Sequence, residues 1–224
     1  MPVREPHSRP IRTWSFLPAL IGWLLIAGTV QASAQSAPLL FQNQETKSDN
    51  LGPFKKWTGA VERMLAEKSQ AQGACSDKQL NACNYARWMA FIETVRNKDK
   101  MAQLAAVNEY FNKTKYVEDM PNWNVEDYWA TPLEFLQKAG DCEDYAIVKF
   151  MSLKMLGFDP NNLRIVAVQD LNLKVGHAIL AVYLGDKIFI LDNQIRDVIE
   201  DKKILHYQPV FSINETAWWR HKKV

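Results

Sequence analysis

The amino-acid sequence predicts an α+β fold in which several helices precede an antiparallel sheet. Apolar residues recur at helical spacing between Trp57 and Gly157, whereas the later segments carry short β-branched and apolar runs. Gly185-Asp186 separates two of these runs and is typical of a hairpin turn. Because a helix and a sheet must each bury an apolar face, we expect the sheet to pack on the last helix, which begins at Cys142.

Five segments before Gly157 have the residue spacing of a helix. Their predicted ranges are 57–68, 85–97, 100–113, 132–138 and 142–156. The fourth is preceded by Thr131, a favourable N-cap residue, and begins with proline, which suits the first helical position. Gly157 follows the fifth segment and is a common C-terminal stop signal.

Three strands are predicted after Gly157, over 163–169, 177–184 and 188–191. Both faces of these strands carry apolar residues, so we expect each face of the sheet to be covered in part. A two-residue hairpin loop makes Asp192 the diagonal neighbour of His177, about 7–8 Å away between backbones and within side-chain reach. A four-residue loop keeps this register, whereas a three-residue loop would turn Asp192 to the opposite face.

Residues 1–34 have the organisation of a signal peptide. Three arginines precede a continuous apolar stretch over 14–30, and Ala32-Ser33-Ala34 then matches a small-x-small cleavage site. An uncleaved membrane anchor is the alternative, because the apolar stretch is near the length that spans a bilayer. We expect cleavage after Ala34 and export of the remaining chain.

The exported chain is predicted to hold a flexible leader and one domain. Residues 35–56 are polar and form the leader, and residues 57–224 are enough for one domain with its own core. Residues 1–34 contain three arginines and one glutamate, so their removal lowers the formal net charge from +2 to 0. This balance gives no indication of a nucleic-acid partner.

An odd number of cysteines in an exported protein indicates one disulfide and one free thiol. Cys75 and Cys83 are close enough in sequence to close a short loop, which leaves Cys142 unpaired. The alternative is that all three are reduced and buried. Cys142 begins a helix, where unpaired N–H groups and the helix dipole favour a thiolate and lower the pKa of a cysteine.

Cys142, His177 and Asp192 together have the residue types of a thiol catalytic triad. A thiolate nucleophile needs a base within hydrogen-bond reach, and that base needs an orienting group. Taken singly, each residue has a structural explanation: a buried cysteine, a strand-end histidine and a turn-forming aspartate. Their order, their elements and the shared face of the hairpin favour catalysis.

Asp141, Glu143 and Asp144 surround the cysteine with negative charge, which opposes thiolate formation. Helix capping is one explanation, because acidic residues stabilise a helix N-terminus. Capping does not remove the repulsion with the sulfur. A hard cation would remove it, because Ca²⁺ takes several carboxylate and carbonyl oxygens at one site. We therefore predict a calcium site at these three residues.

Four stretches resemble the bacterial transglutaminase-like cysteine proteinases. They are YWATPLEFL over 128–136, GDCEDYAI over 140–147, GHA over 176–178 and LDN over 191–193. The resemblance implies a papain-like, transglutaminase-like core. It also implies that Cys142, His177 and Asp192 are catalytic. In this family calcium dependence comes from acidic residues beside the cysteine, which match Asp141, Glu143 and Asp144.

The same resemblance implies a biological role. Such an enzyme is a periplasmic endopeptidase that cuts a large surface adhesin near its N-terminus at a di-alanine site, releasing the adhesin and promoting biofilm dispersal. An inner-membrane receptor for cyclic di-GMP sequesters the protease. Two alternatives remain from the sequence: a transglutaminase that transfers the acyl group to an amine, and a non-catalytic calcium-dependent binding module.

Overall fold

The computed structural model describes Met1, residues 37–70 and residues 80–223. Beyond Met1, the predicted signal peptide lies outside the described residues. The helices within the described part are α1 (Lys55–Gln70), α2 (Leu80–Val95), α3 (Lys100–Asn112), α4 (Asp119–Trp123), α5 (Pro132–Lys138) and α6 (Cys142–Met155). The strands there are β1 (Gln44–Ser48), β2 (Leu163–Asp170), β3 (Val175–Leu184), β4 (Lys187–Leu191), β5 (Ile199–Glu200), β6 (Tyr207–Ile213) and β7 (Trp218–Lys222).

The α+β fold class is confirmed. All strand pairs in the described residues are antiparallel, and the sheet order is β1-β7-β6-β2-β3-β4-β5. The cysteine helix α6 packs against β2 and β3 at the middle of this sheet. Its side chains Ile147, Phe150 and Leu153 are fully buried, as expected for a helix with apolar residues on several sides. The residue at the start of α6 is therefore positioned by a helix that is packed into the core.

Both faces of the sheet are covered, as the apolar residues on both faces predicted. One face packs on the helices in the larger core. The other face, which includes Ile179 of β3, packs in a second cluster against Leu40 from the segment before β1 and Ile204 from the segment after β5. Tyr207 of β6 belongs to this second cluster, and its ring centroid lies 5.7 Å from that of His177 in β3.

The prediction that residues 35–56 form a flexible leader is wrong over much of its length. Gln44–Ser48 forms β1 and pairs with β7 at the edge of the sheet. Glu45 of this strand forms an ion pair with Arg164 at 2.8 Å, and Leu40 is fully buried. An edge strand gains its stability from backbone pairing and a few contacts, so a polar sequence gave no strand signal.

The predicted helices and hairpin agree closely with the structure. α5 has the predicted range, and α6 is followed by Gly157 with a positive φ of 83°. In the hairpin, Leu184 pairs with Lys187, which confirms the two-residue register. Every helix within 37–70 and 80–223 is too short or too polar to serve as a membrane-spanning segment.

The cysteine pattern fits one disulfide and one free thiol. Cys83 is disulfide-bonded, whereas Cys142 is free. The predicted partner, Cys75, lies outside the described residues.

Candidate active site

Cys142 is the first residue of α6 and lies against strand β3. Its side chain is only partly exposed, and the backbone N–H of Ala178 faces Sγ and acts to lower the pKa of the thiol. Ala178 directly follows His177 in β3. The packing of α6 on the sheet therefore brings the thiol to the strand that carries the histidine, although Cys142 and His177 are 35 positions apart in the sequence.

His177 and Asp192 form a buried hydrogen-bonded pair. The His177 Nε2 atom lies 2.9 Å from Asp192 Oδ1, and their side chains are 2% and 0% exposed. This contact follows from the predicted hairpin register. Because Asp192 engages Nε2, the Nδ1 atom of the ring is left for a different partner. The amide Nε2 of Gln194 lies 3.5 Å from it.

Asp192 accepts hydrogen bonds from other groups besides His177. Its Oδ1 also accepts the backbone N–H of Gln194 at 2.8 Å, and its Oδ2 accepts the hydroxyl of Tyr207 at 2.8 Å. Burial alone would raise the pKa of Asp192, but the hydrogen bond and attraction to His177 outweigh it and hold the pKa below its usual range. The aspartate is thus kept ionised where it can orient an imidazole.

The protein's own groups do not favour a Cys142 thiolate, so the predicted lowering of its pKa is wrong. Burial is the largest influence and raises the pKa of the thiol, and the charges of Glu143 and Asp141 raise it further. The Sγ atom donates toward Glu143 Oε2 at 3.2 Å. The backbone N–H of Ala178 acts in the opposite direction but is outweighed. Desolvation and the adjacent carboxylates therefore raise the pKa of the thiol by more than the helix N-terminus lowers it.

The acidic residues beside the cysteine form a close cluster with two residues that the sequence did not single out, Asp119 and Asp127. Carboxylate atoms of Asp119, Asp141 and Asp144 lie within 4.8 Å of one another, and a second group joins Asp119 to Asp127 and Glu143 within the same limit. Asp119 begins α4 and is 2% exposed. It lies 22 positions before Asp141, in a turn-rich segment whose local pattern carries no metal-site signal.

The charges of this cluster are poorly compensated by the protein. The Oδ1 atoms of Asp119 and Asp141 are buried without a hydrogen-bond partner. Burial, followed by the charge of Glu143, raises the pKa of Asp141 to about 9. Burial also raises the pKa of Asp144 to about 8. An all-oxygen donor set that is desolvated and mutually repulsive fits a hard divalent cation such as Ca²⁺.

Asp144 also has a structural role, so the capping explanation holds for it in part. Its Oδ1 accepts the backbone N–H of Ala130 at 2.6 Å, and its Oδ2 accepts that of Asp141 at 3.3 Å. The carboxylate lies so close to Gly140 that a Cβ at that position would overlap it. Asp141 is the N-cap of α6 and forms a capping box with Asp144, but this leaves its buried Oδ1 without a hydrogen-bond partner.

Comparisons with known proteins show the family to which the chain is similar and its related structures. A family model described as bacterial transglutaminase-like cysteine proteinase matches residues 69–221. Among solved structures, Legionella pneumophila LapG is 29% identical with a TM-score of 0.59, covering 69% of this chain and 86% of that chain. A calcium-bound form of it is 28% identical with a TM-score of 0.59, covering 70% and 90%. An EGTA-treated form is 29% identical with a TM-score of 0.60, covering 70% and 85%. No curated protein matches the chain.

Proposed function

The chain belongs to the bacterial transglutaminase-like cysteine proteinase family, and on this premise we propose that it is a calcium-dependent cysteine endopeptidase with a Cys142-His177-Asp192 triad. One observation carries the proposal. The free thiol at the start of α6 lies beside the backbone N–H of Ala178 in β3, next to a histidine whose Nε2 is hydrogen-bonded to a buried aspartate. Nucleophile, base and orienting group are the three parts that thiol catalysis needs.

In the proposed reaction, the Sγ of Cys142 attacks the scissile carbonyl carbon while His177 takes the thiol proton. Collapse of the tetrahedral adduct breaks the C–N bond, and His177 returns the proton to the leaving amine. Water then hydrolyses the thioester. Asp192 holds the imidazole in the required orientation. The backbone N–H of Cys142 lies in the first turn of α6, where amides lack helical partners, and can donate to the developing oxyanion.

We propose that Asp141, Glu143 and Asp144, together with Asp119, hold the calcium ion. When bound, Ca²⁺ supplies positive charge that offsets the carboxylates around the thiol and favours the thiolate. The buried, unpartnered carboxylate oxygens support this assignment, as does the calcium-bound form of LapG. The triad residues themselves carry out bond making and proton transfer.

The proposed setting follows from the family resemblance of the sequence. The mature chain acts in the periplasm after removal of residues 1–34, and its substrate is the N-terminal region of a large surface adhesin. Cleavage releases the adhesin and promotes biofilm dispersal. An inner-membrane receptor for cyclic di-GMP is the proposed sequestering partner.

Mass spectrometry of culture supernatants tests this function. Cells that produce the wild-type protein are compared with cells that produce Cys142→Ala. We expect one large surface protein to be released in truncated form only with the wild type. Identical supernatants would contradict the proposed substrate. A labelled primary amine added with a glutamine-containing protein separates the rival chemistry, since incorporation of the amine without cleavage would indicate a transglutaminase instead.

A further inference from the structure

The cysteine helix carries a buried lysine that takes no part in the triad. Lys149 lies two helical turns after Cys142 and has no solvent exposure. Burying an ammonium group costs free energy unless the group is fully hydrogen-bonded, so the groups that accept its hydrogen bonds indicate its role. Its Nζ donates to the side-chain oxygen of Asn108 at 2.8 Å and to that of Asn112 at 2.7 Å.

Both asparagines belong to α3 and turn their amide nitrogens toward the chain after β4. The Nδ2 of Asn112 donates to the backbone carbonyl of Asp192 at 2.7 Å, and the Nδ2 of Asn108 donates to that of Arg196 at 3.0 Å. An amide has one acceptor side and one donor side. Because Lys149 occupies both acceptor oxygens, the donor sides must face these carbonyls.

We propose that Lys149 is a positioning residue of the proposed active site. Through Asn112 and Asn108 it holds the backbone of the segment 192–196, so that the Asp192 carboxylate stays in line with His177. This inference rests on the proposed function, because it concerns the same triad.

The lysine acts on the backbone of Asp192, not on its carboxylate. The carboxylate oxygens already contact His177, the Gln194 amide and Tyr207. Lys149 and the Asp192 carboxylate also attract each other electrostatically. Burial lowers the pKa of the lysine to about 7, and attraction to Asp192 acts in the opposite direction. A merely space-filling residue would need neither the two amide contacts nor this link.

Two variants and one control test the role. Lys149→Met removes the ammonium, and Asn112→Ala removes the link to the Asp192 carbonyl. Lys154→Met is the matched control, because Lys154 lies on the same helix, is exposed and pairs with Glu215 at 2.6 Å. Each folded variant is studied at one pH and one calcium concentration, well below its melting temperature.

The first readout is the proton NMR signal of the His177 imidazole in its hydrogen bond to Asp192, assigned by its loss in His177→Ala. The second is the rate at which iodoacetamide alkylates Cys142. In Lys149→Met and Asn112→Ala we expect the signal to shift or disappear and alkylation to slow about 10-fold, the usual effect of removing a residue that orients an active-site group through hydrogen bonds. Lys154→Met should match the wild type in both readouts.

The double variant distinguishes one chain of contacts from two separate effects. If Lys149 acts through Asn112, the combined loss should be smaller than the product of the two single losses. An unchanged signal and alkylation rate in folded Lys149→Met would overturn the proposal. If that variant does not fold, unchanged readouts in Asn112→Ala overturn it. Neither readout needs a protein substrate, so failure here is distinct from failure of the supernatant test.

Discussion

At the scale of single residues, the candidate site combines the proposed triad with an acidic cluster whose charge opposes ionisation of the Cys142 thiol. Glu143 and Asp141 raise the pKa of the Cys142 thiol, after burial itself. The same two residues belong to the cluster that fits a cation. Activity and metal binding should therefore be coupled through charge, although Asp141 and Glu143 take no part in proton transfer.

Calcium binding at neutral pH should release protons. Asp141, with a pKa of about 9, and Asp144, with a pKa of about 8, carry protons at pH 7 that a cation must displace. We expect the heat of calcium binding at pH 7 to differ between PIPES and Tris, because released protons are taken up by the buffer. In Asp141→Asn this difference should shrink. Equal heats in both buffers for the wild type would contradict the assigned protonation.

Gly140 is required because the Asp144 carboxylate occupies the space of a side chain there. Gly140→Ala should displace Asp144, lower the melting temperature and weaken calcium affinity. Gly59→Ala is the control, since a Cβ at that helical position meets only the end of Arg63 at 3.7 Å. We expect Gly59→Ala to be neutral or to stabilise by up to about 1 kcal/mol. Thermal melts and calcium titrations of both variants measure the contrast.

At the scale of elements, the register of the β3–β4 hairpin determines the site. The Gly185-Asp186 turn predicts which face Asp192 shares, and the structure has that register. The strands β6 and β7 were not predicted, so the contribution of Tyr207 to Asp192 was also missed. Their sequences mix apolar and polar residues without clear alternation. Long-range pairing, which has no local signal, fixes them in the sheet.

The edge strand β1 should contribute to stability through a buried ion pair. Glu45 and Arg164 have side chains that are 12% and 9% exposed. Glu45→Ala leaves the Arg164 guanidinium without this partner and should destabilise the protein by about 3 kcal/mol. Glu109→Ala breaks a solvent-exposed pair with Lys113 and should have little effect on the free energy of unfolding. Denaturant unfolding gives both values, and equal costs would contradict the role of β1 in the domain.

At the scale of the whole molecule, the sequence predicts the α+β class, the helix order and the hairpin because these depend on local periodicity and turn chemistry. It does not predict the contact of Asp119 with Asp141 or the pairing of β1 with β7. Both contacts join segments that are distant in sequence and polar in composition. The pKa of Cys142 was likewise predicted with the wrong direction, because burial at the helix–sheet interface cannot be read from one helix.

The acidic cluster also predicts how stability depends on pH. The pKa of Asp141 is raised from 3.8 to about 9, so the folded state binds more protons than the unfolded state between these values. The corresponding stability is fully present below about pH 4 and is lost as the pH rises through about 9. With chelator present, the melting temperature should fall over this range, and less steeply in Asp141→Asn. Saturating calcium should raise the melting temperature at pH 8. A melting temperature independent of calcium would contradict the site.

The most direct test of the central account is the cleavage rate of a purified adhesin N-terminal fragment, followed by intact-mass spectrometry. With calcium, the wild type should cut the fragment, and chelation should stop cleavage until calcium is restored. Cys142→Ala and His177→Ala should not cut, whereas Asp186→Asn, in the hairpin turn, should cut at the wild-type rate. Cleavage by Cys142→Ala at a rate near that of the wild type, or full activity in excess chelator, would contradict the account.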